Sequence, residues 1–170
     1  MEKKVTSSVM MGLMVALVLI VISLVTYFTG VYTESWNQYL GFVILFAAIL
    51  ISVLIHAKEV DYRDTFGKLF GFGFKVAATA TCIMILYVVL SSFLFPDVKT
   101  KIMEVARENA LKQPNANPDQ VEQGMQFFEK NFTLFVILGI IFWYLVIGCV
   151  ASLIGAAVAK KRPASEFENV

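Results

Sequence analysis

The chain has 170 residues, of which 58 % are hydrophobic and 16 % charged, with a formal net charge of +1. Soluble domains carry roughly 45–50 % apolar and about 25 % charged residues, so this balance excludes an ordinary soluble fold. The near-neutral charge excludes the basic footprint of a nucleic-acid binder. The apolar residues are gathered in blocks of about 20, the number that crosses a bilayer's hydrocarbon core as a helix.

The first block runs over 9–29, behind Lys3 and Lys4. It is too long for a signal-peptide core and ends in Tyr27, Phe28 and Thr29 without a small-x-small cleavage site, so it reads as a retained helix. A short segment without Lys or Arg follows, and its Tyr32, Trp36 and Tyr39 suit an interfacial aromatic belt. The second block, 39–55, then forms an antiparallel hairpin with the first. A loop of alternating charge, Lys58 to Asp64, leads into the third block, 69–95. The block is entered through a mixed stretch, 65–75, which combines Gly67, Gly71 and Gly73 with phenylalanines, Lys68 and Lys75.

Residues 96–131 form the largest polar region. Val98, Ile102, Val105 and Ala106 share one helical face, which predicts an amphipathic helix over about 97–112. A break at Gln113 to Pro118 follows, with Asn117 as N-cap and Pro118 as first helical residue of a second helix. Val121, Met125, Phe128 and Phe132 line one face of that helix. No proline interrupts it before Pro163, so it is expected to run unbroken into the fourth block, 132–159, as one rod of roughly 63 Å. Gly124 is the one weak point in that rod. The exposed face of the rod needs cover, from Val98, Ile102 and Val105 or from a partner. A polar tail from 160 to 170 is expected to be disordered. The fold class is therefore all-α: an integral membrane four-helix bundle with a helical extramembrane loop between helices three and four.

Orientation follows from the basic residues. Lys3, Lys4, Lys58, Arg63, Lys68, Lys160, Lys161 and Arg162 fall on short segments of one side, and five basic residues balanced by six acids fall in the long loop. Both termini are thus expected to be cytoplasmic, with 96–131 outside.

The chemistry-bearing residues are few. Arg63, Lys68 and Lys75 form a basic set at the cytoplasmic boundary of the third span, suited to snorkelling or to an anionic headgroup such as a polyprenyl phosphate. His56, the sole histidine, has Glu59 one turn away. That is too little for a zinc site, and a base role with Glu59 or Asp61 lacks a geometric signal. Cys82 and Cys149 lie inside apolar blocks without ligating neighbours, so neither a disulfide nor a metal site is expected. No cofactor motif, hydrolase signature or phosphate loop is present. Gly67 with Gly71, and the ridges Gly148–Ser152–Ala156 and Ala151–Gly155–Ala159, have the spacing that lets helices approach closely in lipid.

The opening Lys3 to Gly12, the segment Trp36 to Gly41 and above all Thr65 to Lys75 resemble a family of uncharacterised four-helix membrane proteins of Bacteroidota-type bacteria. The likeness extends over almost the whole chain. It implies an inner-membrane location and no assigned activity, with membrane glycosyltransferases of the polyprenyl-phosphate type as neighbours. Two functional expectations result. The first is a non-enzymatic accessory or scaffold subunit of a larger membrane assembly, partnered by another membrane protein or by its own copies. The second is a small transporter or flippase-like protein binding an anionic isoprenoid lipid.

Overall fold

A computed structural model describes residues 5–114 and 117–160. Among them the protein is all-helical: α1 Ser8–Thr29, α2 Ser35–Glu59, α3 Phe66–Leu94, α4 Pro96–Leu111, α5 Pro118–Lys130 and α6 Phe132–Lys160, with a 3-10 turn at Val31–Thr33. Lys160 closes α6, and the rest of the expected tail lies outside the described residues, as do Lys3 and Lys4. Helices α1, α2, α3 and α6 are each long and apolar enough to cross a membrane.

Local chemistry sets the boundaries. The Ser7 hydroxyl accepts the Met10 N–H at 3.2 Å to begin α1, and Thr65 accepts from Lys68 at 3.4 Å to begin α3. Asn117 accepts from Asp119 at 3.0 Å, with Pro118 as the first residue of α5. These are the side-chain caps that satisfy otherwise orphaned helix donors. At the C-terminus of α1, Gly30 takes φ 77°, the left-handed position that closes a helix at least cost in glycine. At the end of α2 the Tyr62 N–H reaches Ala57 O at 2.8 Å and the Asp61 N–H reaches Lys58 O at 3.2 Å, the paired bonds of a Schellman closure. Here the left-handed residues are Asp61 (φ 50°) and Tyr62 (φ 58°) instead of glycine. Tyr62 offsets that strain by packing against the buried group Val53, Ala57, Leu69, Ala156 and Ala159.

Helix α3 is central, packing closely on α6 and α1 and more lightly on α2, while α2 closes against α6. The core is Met11, Val15, Ala16 and Leu19 of α1, Leu45 and Ile49 of α2, and Phe72, Val76, Ala77, Ala80 and Met84 of α3, with Ala151 of α6. Leu13, Leu17, Leu86, Leu90 and Leu138 point outward, as expected where lipid is as good a solvent for leucine as another helix.

Close approach explains how the bundle is held. Gly148, Ala151, Ser152, Gly155, Ala156 and Ala159 are all buried. A Cβ on Gly148 would collide with the Ala77 Cβ, and one on Gly155 would lie 3.0 Å from Val53 Cβ. A Cβ on Gly73 would lie 2.5 Å from Ser152 Oγ. The expectation for Gly67 and Gly71 is corrected: nothing lies within 4 Å of a Cβ built on either. They sit on the outward side of α3, and Gly73 makes the close approach in their place.

The expected single rod is also corrected. Helix α5 ends at Lys130 and α6 begins at Phe132. Gly124 lies undisturbed inside α5, and the break falls at Asn131 (φ −112°, ψ 17°). The Asn131 Nδ2 donates to Phe127 O at 2.9 Å. A short amide side chain that binds its own preceding turn competes with the continuing helix.

Candidate functional site

Two polar regions occupy the two ends of the bundle. The first lies where α1 begins, α2 ends, α3 begins and α6 ends. Both oxygens of Glu59 are occupied by Thr6, which donates its N–H at 2.8 Å and its hydroxyl at 2.7 Å. This ties the start of α1 to the end of α2. His56 places Nε2 3.3 Å from Asp64 Oδ2, and Lys68 Nζ lies 3.4 Å from Asp64 Oδ1. The imidazole is stacked on Phe72, with ring centroids 3.8 Å apart and planes 6° from parallel. Its Nδ1 is buried without a hydrogen-bond partner among the described residues. Asp64 therefore bridges an imidazole on α2 and an ammonium on α3 across the connecting turn, a clamp that fixes one helix against the other.

Glu59 and Asp61 are the carboxylates the sequence offers for a base role at His56, and the structure sets Asp64 beside its Nε2. The i,i+4 relation of Asp64 and Lys68 is a legible signal. The reach from His56 to Asp64 depends on the left-handed turn at Asp61 and Tyr62, which no local spacing announces.

The basic set is partly separated. Arg63 is exposed on the turn, Lys68 is engaged with Asp64, and Lys75 is exposed on α3 without a carboxylate partner among the described residues. Lys68 and Lys75, seven residues apart, share the outward face of α3 at an axial separation of roughly 10 Å. Gly71 lies between them with open space above it. Phe70 and Phe74 stack beside this bare strip, with centroids 6.0 Å apart.

The second region is the opposite end. Tyr27 donates to both carboxylate oxygens of Asp97 at 3.2 Å, and its ring lies 4.5 Å from that of Phe95. These contacts hold the start of α4 against the end of α1. Val98 and Ile102 of α4 lie over the bundle's mouth. Below them is a cavity of about 260 Å³ lined by Leu19, Thr26, Tyr32, Asn37 and Tyr144 among others. A second cleft of about 180 Å³ lies between α3, α4 and α6 and shares Ser23, Val98 and Ile102 with the first. Helix α4 thus borders the bundle's mouth with Val98 and Ile102 and also packs on α5. Helix α5 meets α4 through a cleft lined by Met103, Glu104, Arg107, Glu122, Met125 and Glu129, where Arg107 and Glu122 form an ion pair.

Among the described residues no three His, Cys, Asp or Glu side chains lie close enough to hold a metal ion. Cys82 and Cys149 are both free thiols.

Four long apolar helices knit by small residues, with polar clusters only at their ends, define a multi-pass helical membrane protein whose environment is the lipid bilayer. Residues 10–161 match a family described as "Protein of unknown function (DUF4199)", and the chain belongs to that family. No curated protein and no solved structure matches it.

Proposed function

We propose that the protein is a non-enzymatic accessory subunit of a larger inner-membrane assembly, its termini cytoplasmic and its α4–α5 hairpin presented outside to a membrane-protein partner. The observation that carries this reading is the hairpin itself. Neither α4 nor α5 buries a single residue, yet both are amphipathic, and Phe127 remains 62 % exposed. An amphipathic helix stands in water stably when its apolar face is covered. The polar clusters at the two ends act as helix clamps, which suits a rigid mount. The test is a photo-crosslinking amino acid at Phe127, compared in native membranes with one at lipid-facing Leu86. A discrete protein adduct from 127 alone supports the reading. Adducts to lipid only, or the same pattern from both sites, would sink it.

A second reading is favoured by the outward strip of α3, where Lys68, Lys75 and the bare Gly71 make room for an anionic headgroup. On this reading the protein is a small transporter or flippase-like carrier that binds an anionic isoprenoid lipid, working beside a membrane glycosyltransferase. Lys75→Ala should weaken binding of a polyprenyl phosphate by the reconstituted protein, and unchanged binding would discard the site.

A further inference from the structure

The cleft between α3, α4 and α6 has a combination of properties that neither reading uses. Its walls are Tyr87, Val88, Phe95, Val98, Ile102, Phe132 and Val136, with Ser23, Ser91, Ser92 and Lys99 as the polar members. The Ser91 and Ser92 hydroxyls donate to Val88 O at 3.0 Å and Val89 O at 2.7 Å. Tyr87 donates to Ser23 Oγ at 3.1 Å, which leaves the Ser23 proton to be given to another acceptor. Lys99 is half-buried and has no carboxylate within salt-bridge distance among the described residues. Its ammonium lies 5.8 Å from the centroid of the Phe132 ring. The neighbouring Asp97 carboxylate is engaged by Tyr27.

The height of the cleft matters as much as its lining. From Lys75, a cation that belongs at one membrane boundary, to Phe95 is 20 residues of helix, or roughly 30 Å, which is the thickness of a hydrocarbon core. Lys99, one turn beyond Phe95, therefore lies at the headgroup level of the opposite leaflet, with the apolar walls of the cleft just inside the hydrocarbon. A half-buried ammonium beside apolar walls favours an anion, and the walls favour an apolar chain attached to it. At about 180 Å³ the cleft is smaller than the roughly 300–1,000 Å³ that enclose a whole drug-sized ligand. It suits a segment of one chain whose remainder stays in the bilayer.

We propose that this cleft binds one anionic membrane lipid, with the phosphate at Lys99 and part of one chain along Tyr87, Val88 and Val136. Val98 and Ile102 wall both this cleft and the larger cavity beneath α4, so the bound chain would brace α4 in place over the bundle's mouth. The site lies at the end of α3 opposite Lys75.

The experiment is native mass spectrometry of the full chain carrying Lys75→Gln, so that the basic strip at the other end does not contribute. Dioleoyl phosphatidylglycerol, dioleoyl phosphatidylcholine and inorganic phosphate serve as probes. Phosphatidylglycerol should be retained in preference to phosphatidylcholine. Adding Lys99→Gln should lower its retention about fivefold, the usual worth of one basic contact at a membrane surface. Val136→Trp, which fills the cleft without altering charge, should lower it as well, and Lys112→Gln, an exposed lysine just past the end of α4, should not. The proposal is overturned by equal retention of the two lipids, or by retention that either Lys99→Gln or Val136→Trp leaves unchanged. Displacement by inorganic phosphate at equal concentration would likewise overturn it, because the chain would then contribute nothing.

Discussion

Replacing Gly73 by alanine tests whether close helix approach holds this bundle together. A Cβ at that position would lie 2.5 Å from both Ser152 Oγ and Val53 Cγ2, and 2.9 Å from Ser152 Cβ. Contacts that short are not found in folded proteins, so α3 must move away from α6 and α2 at once. Neither neighbour offers an escape. Ser152 is fully buried and holds its hydroxyl on Gly148 O at 2.6 Å, and Val53 is fully buried among Ala57, Leu69, Ala156 and Ala159. Overpacking of this kind typically costs about 1–3 kcal/mol. The control is Gly71→Ala on the same helix, where a Cβ meets nothing within 4 Å. That change should be neutral or stabilising by up to about 1 kcal/mol, the helix-propensity gain of alanine over glycine. Reversible unfolding in mixed detergent micelles, read by circular dichroism, measures both. Ser152→Ala combined with Gly73→Ala removes one of the two 2.5 Å clashes and should recover part of the loss, giving a coupling term of about 0.5 kcal/mol or more. Equal stability of Gly73→Ala and Gly71→Ala would refute the packing described for α3, α6 and α2.

Glu59→Ala removes the acceptor for two hydrogen bonds from Thr6. Hydrogen exchange over residues 5–12 should accelerate, matching a loss of about 1–3 kcal/mol for bonds to a charged group, while exchange in α6 stays unchanged. Asp64→Asn should destabilise the bundle by about 1 kcal/mol, because its contacts to His56 and Lys68 are partly solvated; chemical denaturation in detergent reads this, and a stabilised variant would contradict the clamp. Asn131→Leu should let α5 and α6 fuse. Spin labels at Gln123 and Phe142 would then report a separation near the roughly 28 Å of an unbroken helix, with the wild type falling short of it. Single cysteines at Asn109 and Lys58, in a background lacking Cys82 and Cys149, should label from opposite sides of intact spheroplasts, with 109 accessible to an impermeant reagent and 58 protected; the reverse pattern would invert the orientation.

Block length made the four apolar helices legible in the sequence, since only a bilayer explains such runs in so short a chain. The Asn117–Pro118 start of α5 was equally legible, because capping is local chemistry. Spacing was a weaker guide to packing. Gly67 and Gly71 carry a small-residue interval, and so do Gly73, Ala77 and Thr81, and nothing in the interval says which stripe faces a neighbour. The structure chooses the second: all three of its members are buried, while the first faces outward. The deciding difference is the sidedness of the helix as a whole. Lys68 and Lys75 share the face of Gly67 and Gly71, and two lysines turn a face away from a helix interface and toward headgroups. Charge on the same face is the signal that ranks otherwise equivalent small-residue stripes.

The position of α4 was illegible for a different reason. Its amphipathic face was evident, but a face does not name its neighbour. Helix α3 ends at Leu94 and α4 starts at Pro96, so the path of α4 is set by one intervening residue, Phe95 (φ −131°, ψ 69°). Proline confines the residue before it to extended backbone, which guarantees a turn without fixing where the next helix lands. That choice falls to Tyr27, whose ring meets Phe95 and whose hydroxyl meets Asp97, an association between residues 70 apart in the chain. Once Tyr27 draws Asp97 in, Val98 and Ile102 fall over the open mouth of the bundle, while Met103 and Arg107 of the same helix turn toward α5. Helix α5 is left to meet α4 through the mixed cleft around Arg107 and Glu122, with Phe127 exposed. The path that Tyr27 imposes on α4 thus sets which of its residues meet the bundle and which meet α5.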